Sequence, residues 1–426
     1  MKILAVGDMH LGRRPSRIPG EFVHDPADLS PAVAWRRSCE LAIEEQVAAV
    51  LLAGDVIESE RDFFEGYREL KAGVERLAGE SIRVIAVAGN HDVEVLPRLA
   101  DALAGEEGFK LLGRGGVWES IEIGPVRIHG WSFPRREVRQ SPLAGMESAS
   151  GPGFHLALLH CDLDASGSPY APVMRRELDG AGLDAWLLGH IHAPHPLSAA
   201  APRGYLGCVS GMDPGEPGPR GPWLMRFEGE RLIEMAQIPL APIRWEPIDI
   251  DLGNLEDIGD LDNTVIERAR ELDQRLFASR PTPLAVGLRP RFTGQSEFCD
   301  ELPRRIARLM EEQSSFHVGE RAYFIEHCET AVLPRIDLDE LAARGDPLGL
   351  LAARLLLLDR PEGDAARAEL IAGARARFHS ELTGHRWRDL ESNDEALADC
   401  RIAQRLRLAG FEALRRLHAQ QQGAGA

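Results

Sequence analysis

The chain has 426 residues, 44% of them hydrophobic, which is enough for two or three domains with full cores. Its net charge of −18, from 67 acidic and 49 basic residues, argues against a free-standing nucleic-acid binder, because phosphate contacts come from Lys and Arg. No apolar run approaches the ~20 residues of a membrane-spanning helix, so no membrane association is expected.

The N-terminus, MKILAVGD, runs straight into a strand, with no apolar segment leading to a small-residue cleavage site. The six cysteines (Cys39, Cys161, Cys208, Cys299, Cys328 and Cys400) include no CxxC pair. That usage suits a reducing cytoplasm and speaks against a zinc knuckle or a disulfide framework.

In chain order, a strand at 2–7 leads through an Arg- and Pro-rich loop to a helix from Pro31 to Gln46. A strand at 47–53 follows, then a helix over 61–78 with Phe64, Leu70, Val74 and Leu77 at near-helical spacing. IRVIAVAGNHDV places a β-branched strand at 82–88, ending in the turn Gly89-Asn90-His91-Asp92. A short helix near 96–103 precedes strands at 109–112, 117–123 and 125–130, with a turn at Gly124-Pro125. Further strands at 154–159 and 184–188 end in His160 and in His190 with His192. The pattern from 203 to 250 is β. These elements predict an α/β fold over residues 1–250, a two-layer sheet sandwich of mixed pairing flanked by helices.

Beyond a boundary near 250, residues 251–335 read as a small α+β module, with a helix at 254–280, the strand LAVGLRPRF, a helix at 302–312 and the strand RAYFIEHC. Residues 336–420 read as helical. LGLLAARLLLL is apolar on nearly all faces and must be buried in its own bundle or against a partner. The tail at 421–426 is expected to be disordered.

Five of these strands end alike: an apolar run stops, often through Gly, at Asp, Asn or His. The residues so placed are Asp8, His10, Asp55, Asn90, His160, His190 and His192. Residues two apart on an extended segment point the same way, so Asp8 with His10, and His190 with His192, can each aim at one point. The preceding glycines allow the backbone to turn sharply. A lone His after a strand is more often a hydrogen-bonded turn residue, and a lone Asp more often a helix cap. Seven such residues at five strand ends point instead to a metal site.

Several imidazoles favour Mn, Fe or Zn over Mg or Ca. Seven ligands are too many for one ion and fit two, about 3.5–4 Å apart, with Asp55 as the natural bridge. Such a pair can hold phosphate oxygens and lower the pKa of a shared water, which then attacks phosphorus in line. His91, beside a ligand but not needed as one, can protonate the leaving oxygen or stabilise developing charge. Arginines cluster on the same side of the sheet, and Arg13, Arg14, Arg135, Arg136 and Arg220 are the candidate DNA contacts.

The order GDMH, GD, GNHD, H, GHIH resembles the calcineurin-like metallophosphoesterase superfamily. SPYAPV at 168–173, GYLGCVSGMDPGEPGPRGPWLM at 204–225 and RDFFEG after Asp55 are similar to the bacterial SbcD-like DNA repair exonucleases. The resemblance implies a β-sandwich with a dinuclear Mn²⁺ site, a capping domain that positions DNA, and a C-terminal segment that docks on a Rad50-like, SMC-type ATPase. It further implies a homodimer. It would place Asp8, His10, Asp55 and His192 on one ion, Asp55, Asn90, His160 and His190 on the other, and His91 beside the scissile phosphate.

One departure stands out. Many relatives carry a His shortly after the bridging Asp, where GDVIESE offers Ile57 and Glu58. An acid at that point is expected to repel DNA or reshape the channel. The function expected is thus a metal-dependent phosphodiester hydrolase, a DNA exonuclease or endonuclease working with the ATPase. The alternatives are a stand-alone phosphodiesterase or phosphatase acting on small nucleotides or phosphoproteins, and a scaffold with a vestigial site.

Overall fold

The computed structural model describes residues 1–103, 108–146, 151–277, 283–312, 314–382 and 398–423. The chain begins β1 (Lys2–Val6), α1 (Pro31–Glu44), β2 (Ala49–Ala53), α2 (Phe63–Gly79), β3 (Arg83–Val87), α3 (Leu96–Ala102), β4 (Phe109–Leu111), β5 (Glu119–Ile123) and β6 (Val126–Trp131). It continues with β7 (Phe154–His160), β8 (Asp162–Leu163), β9 (Pro172–Val173), α4 (Arg175–Gly180), β10 (Ala185–Gly189), β11 (Arg203–Tyr205), β12 (Trp223–Glu228), β13 (Arg231–Gln237) and β14 (Ile243–Asp251). The remainder comprises α5 (Leu261–Phe277), β15 (Ala285–Thr293), β16 (Gln295–Ser296), α6 (Leu302–Glu312), β17 (Ser315–Val318), β18 (Arg321–Ile325), β19 (Glu329–Thr330), β20 (Leu333–Pro334), α7 (Leu338–Ala342), α8 (Pro347–Leu358), α9 (Ala365–Leu382) and α10 (Asp399–Gly423).

Two sheets form the sandwich. One runs β13-β12-β1-β2-β3-β4 and the other β11-β10-β7-β6-β5. β1 to β4 are parallel, while β12 pairs antiparallel with β1 and with β13. In the second sheet β6, β7, β10 and β11 are parallel and β5 is antiparallel to β6. The pairing is therefore mixed, as the sequence led us to expect.

Alternation along each strand sorts its side chains into two cores. Ile3, Ala5, Leu51, Ala53, Ile85 and Val87 meet Ile128, Leu156, Leu158 and Leu187 between the sheets. Leu4, Val6, Val50, Leu52, Val84 and Ala86 face Trp35, Leu70, Val74, Leu77 and Leu99 of the helices. Strands buried on both sides have to be apolar throughout, which is why these runs show no polar alternation. α1 and α2 approach at Gly73, where a β-carbon would stand 2.3 Å from Trp35 Nε1. Phe64 departs from the expected apolar face of α2: it lies in the first turn and is 84% exposed, while Leu70, Val74 and Leu77 are buried.

The chain divides into two compact units. The first takes in Met1–Pro247, Ala269–Arg289 and Ser314–Glu326, and the second Ile248–Arg268, Pro290–Gln313 and His327–Ala426. The segment 251–335 contributes to both. In the first unit Trp245 and Phe324 pack with Met212 and Ile243. In the second, α8 starts at Pro347 with Asp346 accepting the Gly349 N–H at 2.9 Å. Its Leu348, Ala352, Leu355 and Leu358 are buried with Ile371, Ile402, Phe411 and Leu414, so the helix covers most of its apolar surface in its own bundle. The last helix is described through Gly423, and the rest of the expected tail lies outside the described residues. Among the described residues no helix is long and apolar enough to cross a membrane.

Candidate metal centre

The site residues follow β1, β2, β3, β7 and β10. Four of the residues themselves, rather than their glycines alone, carry the unusual backbone: Asp8, His10, Asp55 and His190 have φ of +33°, +48°, +46° and +106°. Positive φ costs an L-residue about 1–3 kcal/mol, and persists only where the surroundings over-determine it. Gly89 and Gly189 serve close approach. A β-carbon at either would stand 2.1 Å from an oxygen, Asp55 Oδ1 and the Ala53 carbonyl respectively. Backbone amides complete the frame. His10 N donates to the Asp55 carbonyl at 2.8 Å, His190 N to Asp8 Oδ1 at 2.8 Å, and His91 N to Asp55 Oδ1 at 3.0 Å.

Asp92, to which the sequence reading assigned no role, ties two of these loops together. Its buried carboxylate accepts from Val56 N at 2.6 Å and Gly89 N at 2.8 Å. Its place in the GNHD turn was the only signal available in the sequence.

The side chains converge. His10 Nε2 lies 3.1 Å from His192 Nε2. His160 Nε2 lies 3.0 Å from Asn90 Oδ1 and 3.3 Å from Asp55 Oδ2. Asp55 Oδ2 is also 3.8 Å from His10 Nε2, so this one oxygen is in reach of both halves. The His190 ring stands 5.2 Å from that of His160, centre to centre. Among the described residues Asp8 Oδ2 is buried without a hydrogen-bond partner. His160 Nδ1 faces the Ala53 carbonyl at 3.1 Å; a carbonyl only accepts, so Nδ1 carries the hydrogen and the lone pair of the neutral ring sits on Nε2.

The electrostatics are those of a cluster short of positive charge. Burial pushes the Asp8 carboxyl up. Burial also pushes Asp55 up, but His160 and His10 outweigh it and hold Asp55 below the usual carboxylate range. His160 is raised to about 9, because Asp55 and Asp8 overcome the effect of its burial. Burial, followed by the nearby His160, lowers His190 to about 4. A divalent cation supplies the charge that the proton on His160 otherwise has to supply. Acceptor atoms facing one another, an orphaned carboxylate oxygen and a mixed Asp, Asn and His donor set all fit such ions. The groups Asp8, His10, His192 and Asp8, Asp55, His160 each bring their ligand atoms within 4.8 Å.

His91 lies outside these two groups but forms a third with His10 and Glu58. It is exposed, its ring meets His10 edge-on at 5.2 Å, and its Nδ1 lies 3.2 Å from the Glu58 carbonyl, which leaves Nε2 as the nitrogen without that contact. Glu58 turns Oε2 onto His10 Nδ1 at 2.7 Å, and that oxygen is buried. The acid after Asp55 is thus directed at an imidazole rather than out into the approach path. On the other side of the cluster His192 Nδ1 bonds Glu216 Oε1 at 2.5 Å. Cys161 and Cys208 are buried thiols, both pushed up by burial.

Of the candidate DNA contacts, Arg13 is half-buried; Glu58 is lowered chiefly by His10 and Glu216, against its burial, by His192, with Arg13 adding a smaller push in each case. Arg14 pairs with Glu65 at 2.7 Å and Arg136 with Glu94 at 3.5 Å, while Arg135 bonds the Glu137 carbonyl. Arg220 is 4% exposed and donates to the carbonyls of His192 and Pro217, so it braces a ligand loop from within.

Residues 1–194 match the model of the calcineurin-like phosphoesterase family, which supports the superfamily expected from the motif order. The chain is 28% identical over 232 residues to an uncharacterised metallophosphoesterase, YhaO, of Bacillus subtilis, covering 51% of this chain and 54% of that protein. It is also 28% identical over 299 residues to the DNA double-strand break repair protein Mre11 of Aeropyrum pernix, covering 66% and 70%. The chain thus spans about half the length of the first relative. Among solved structures it is similar to a dimetal phosphatase from Danio rerio, at 12% identity and a TM-score of 0.34, covering 56% of this chain and 99% of that one.

Proposed function

We propose that this chain is a dinuclear metal-dependent phosphodiesterase acting on DNA, the nuclease partner of a Rad50-like, SMC-type ATPase. The observation that carries the hydrolase is the convergence of Asp8, His10, Asp55, Asn90, His160 and His192, with Asp55 Oδ2 in reach of both His10 and His160 and the His190 ring beside that of His160. DNA as substrate rests on the motif stretches at 168–173 and 204–225, and on the likeness to a protein named for DNA double-strand break repair.

Asp8, His10, Asp55 and His192 would hold one ion, and Asp55, Asn90, His160 and His190 the other, with Mn²⁺ as the metal. When bound, the ions supply Lewis acidity and a nucleophilic water. The protein's own part is positional. The strained turns at Asp8, Asp55 and His190 aim donors inward, and Asp92 keeps the loops after β2 and β3 in register. His91, exposed beside the cluster, delivers a proton to the leaving oxygen. Arg13, a half-buried cation close enough to act on Glu58 and Glu216, draws the phosphate in.

The bundle of α7 to α10 is the expected docking site for the ATPase. Leu350, 66% exposed on a helix otherwise rich in buried leucines, marks the surface.

A second reading has a specific observation in its favour. Arg14 and Arg136 are already paired with Glu65 and Glu94, and the chain is strongly acidic, which suits a small nucleotide better than a duplex. The test is nucleotide release from single- and double-stranded DNA with Mn²⁺, beside bis(4-nitrophenyl) phosphate and an Asp55→Asn control. Release that falls about 1,000-fold or more in the control supports the nuclease, since several kcal/mol of charge stabilisation would be lost. Turnover of the small ester with no DNA cleavage, even with the ATPase present, transfers the assignment to the second reading.

A further inference from the structure

The two halves of the metal centre are braced differently. His192 Nδ1 hydrogen-bonds Glu216, and a carboxylate only accepts, so Nδ1 carries the hydrogen and the neutral ring offers its lone pair at Nε2. Glu216 is itself fixed, its second oxygen accepting from Met212 N at 2.6 Å and Asp213 N at 3.2 Å. His10 repeats the arrangement from another loop. Its Nδ1 stands 2.7 Å from Glu58 Oε2 as an ion-pair contact, and among the described residues neither atom has a hydrogen-bond partner elsewhere. Two lone pairs therefore point at each other across the 3.1 Å between the Nε2 atoms, an arrangement that calls for a cation in their midst. On the other side His160 Nδ1 rests on the neutral Ala53 carbonyl, and His190 reaches Asp162 only at 4.0 Å through Nε2.

We propose that Glu58 and Glu216 are positioning residues that make the two ion positions unequal, the ion on His10 and His192 being held more tightly than the ion on Asn90 and His160. A carboxylate on the far nitrogen fixes the ring and its tautomer and raises the basicity of the ligating nitrogen, and loss of such a partner weakens metal binding by about 10–100-fold. A backbone carbonyl fixes the ring without adding charge. This inference rests on the metal reading above but not on the identity of the phosphoester.

The experiment is titration of the chelator-stripped full-length protein with Mn²⁺, reading free Mn²⁺ by electron paramagnetic resonance. The wild type should fill in two steps. Glu216→Gln and Glu58→Gln should each loosen the tighter step by about 10–100-fold and leave the weaker one in place. The Ala variants should loosen it further, since Gln keeps an acceptor and loses only the charge. Asn90→Ala should instead move the weaker step. Unfolding midpoints in EDTA show whether each variant folds, and the two glutamates lie on separate loops, so either can carry the test alone. Equal loosening of both steps, no change in either, or a tight step that responds to Asn90→Ala would overturn the proposal. A wild type that binds no Mn²⁺ would remove the metal reading itself.

Discussion

The strand-end loops and the C-terminal helices of this protein are stabilised in opposite ways. In the loops, buried carboxylates and imidazoles sit on left-handed backbone, and each is held by one or two specific bonds. In α7 to α10, Leu348, Leu355, Leu358, Phe411 and Leu414 share one apolar cluster, and no single pair decides the geometry. Directional polar bonds give a defined arrangement that one substitution can ruin, whereas non-directional apolar burial spreads its effect over many neighbours. The first suits aiming ligands at a point. The second suits presenting a surface.

That contrast can be sharpened by substitutions at three positions, ranked by their effect on turnover. His91→Ala should lower kcat by about 100- to 10,000-fold while metal content, measured by elemental analysis, stays normal, as expected for a lost proton donor that is not a ligand. Loss of both ions in that variant would move His91 into the ligand set.

Asp92→Ala should come next. It strips the backbone N–H groups of Val56, Ile57 and Gly89 of their buried acceptor, which costs about 3 kcal/mol in denaturant unfolding. Turnover should fall only through weaker metal retention, and excess Mn²⁺ should restore part of it. Asp92→Asn should recover less than its size suggests, because one of its two accepting oxygens would become an amide donor set against an N–H.

Leu355→Ala should do least to the chemistry. The side chain fills a gap that Gly410 opens in α10, where a β-carbon would stand 2.5 Å from Leu355 Cδ2. Its truncation should cost about 2–5 kcal/mol in unfolding, yet leave hydrolysis of bis(4-nitrophenyl) phosphate within about twofold. Equal loss of ester turnover would mean that the helices and the metal centre are energetically one body.

The sequence by itself was enough to name the α/β sandwich and the seven candidate ligands. Both are local patterns: a doubly buried strand is apolar throughout, and a ligand at its end breaks that run abruptly. Asp8, Asp55 and Asn90 are legible for that reason. What those ligands lean on was not legible. Glu58 meets His10, Glu216 meets His192 and Asp92 meets Val56 across gaps in sequence that no periodicity encodes. Charge counting could not tell that Arg220 is enclosed against two carbonyls, nor helical spacing that Phe64 faces solvent at the first turn of α2. A residue's chemistry is a property of its type, but its partner is a property of the closed chain, and only the packed sheets and loops decide which groups meet.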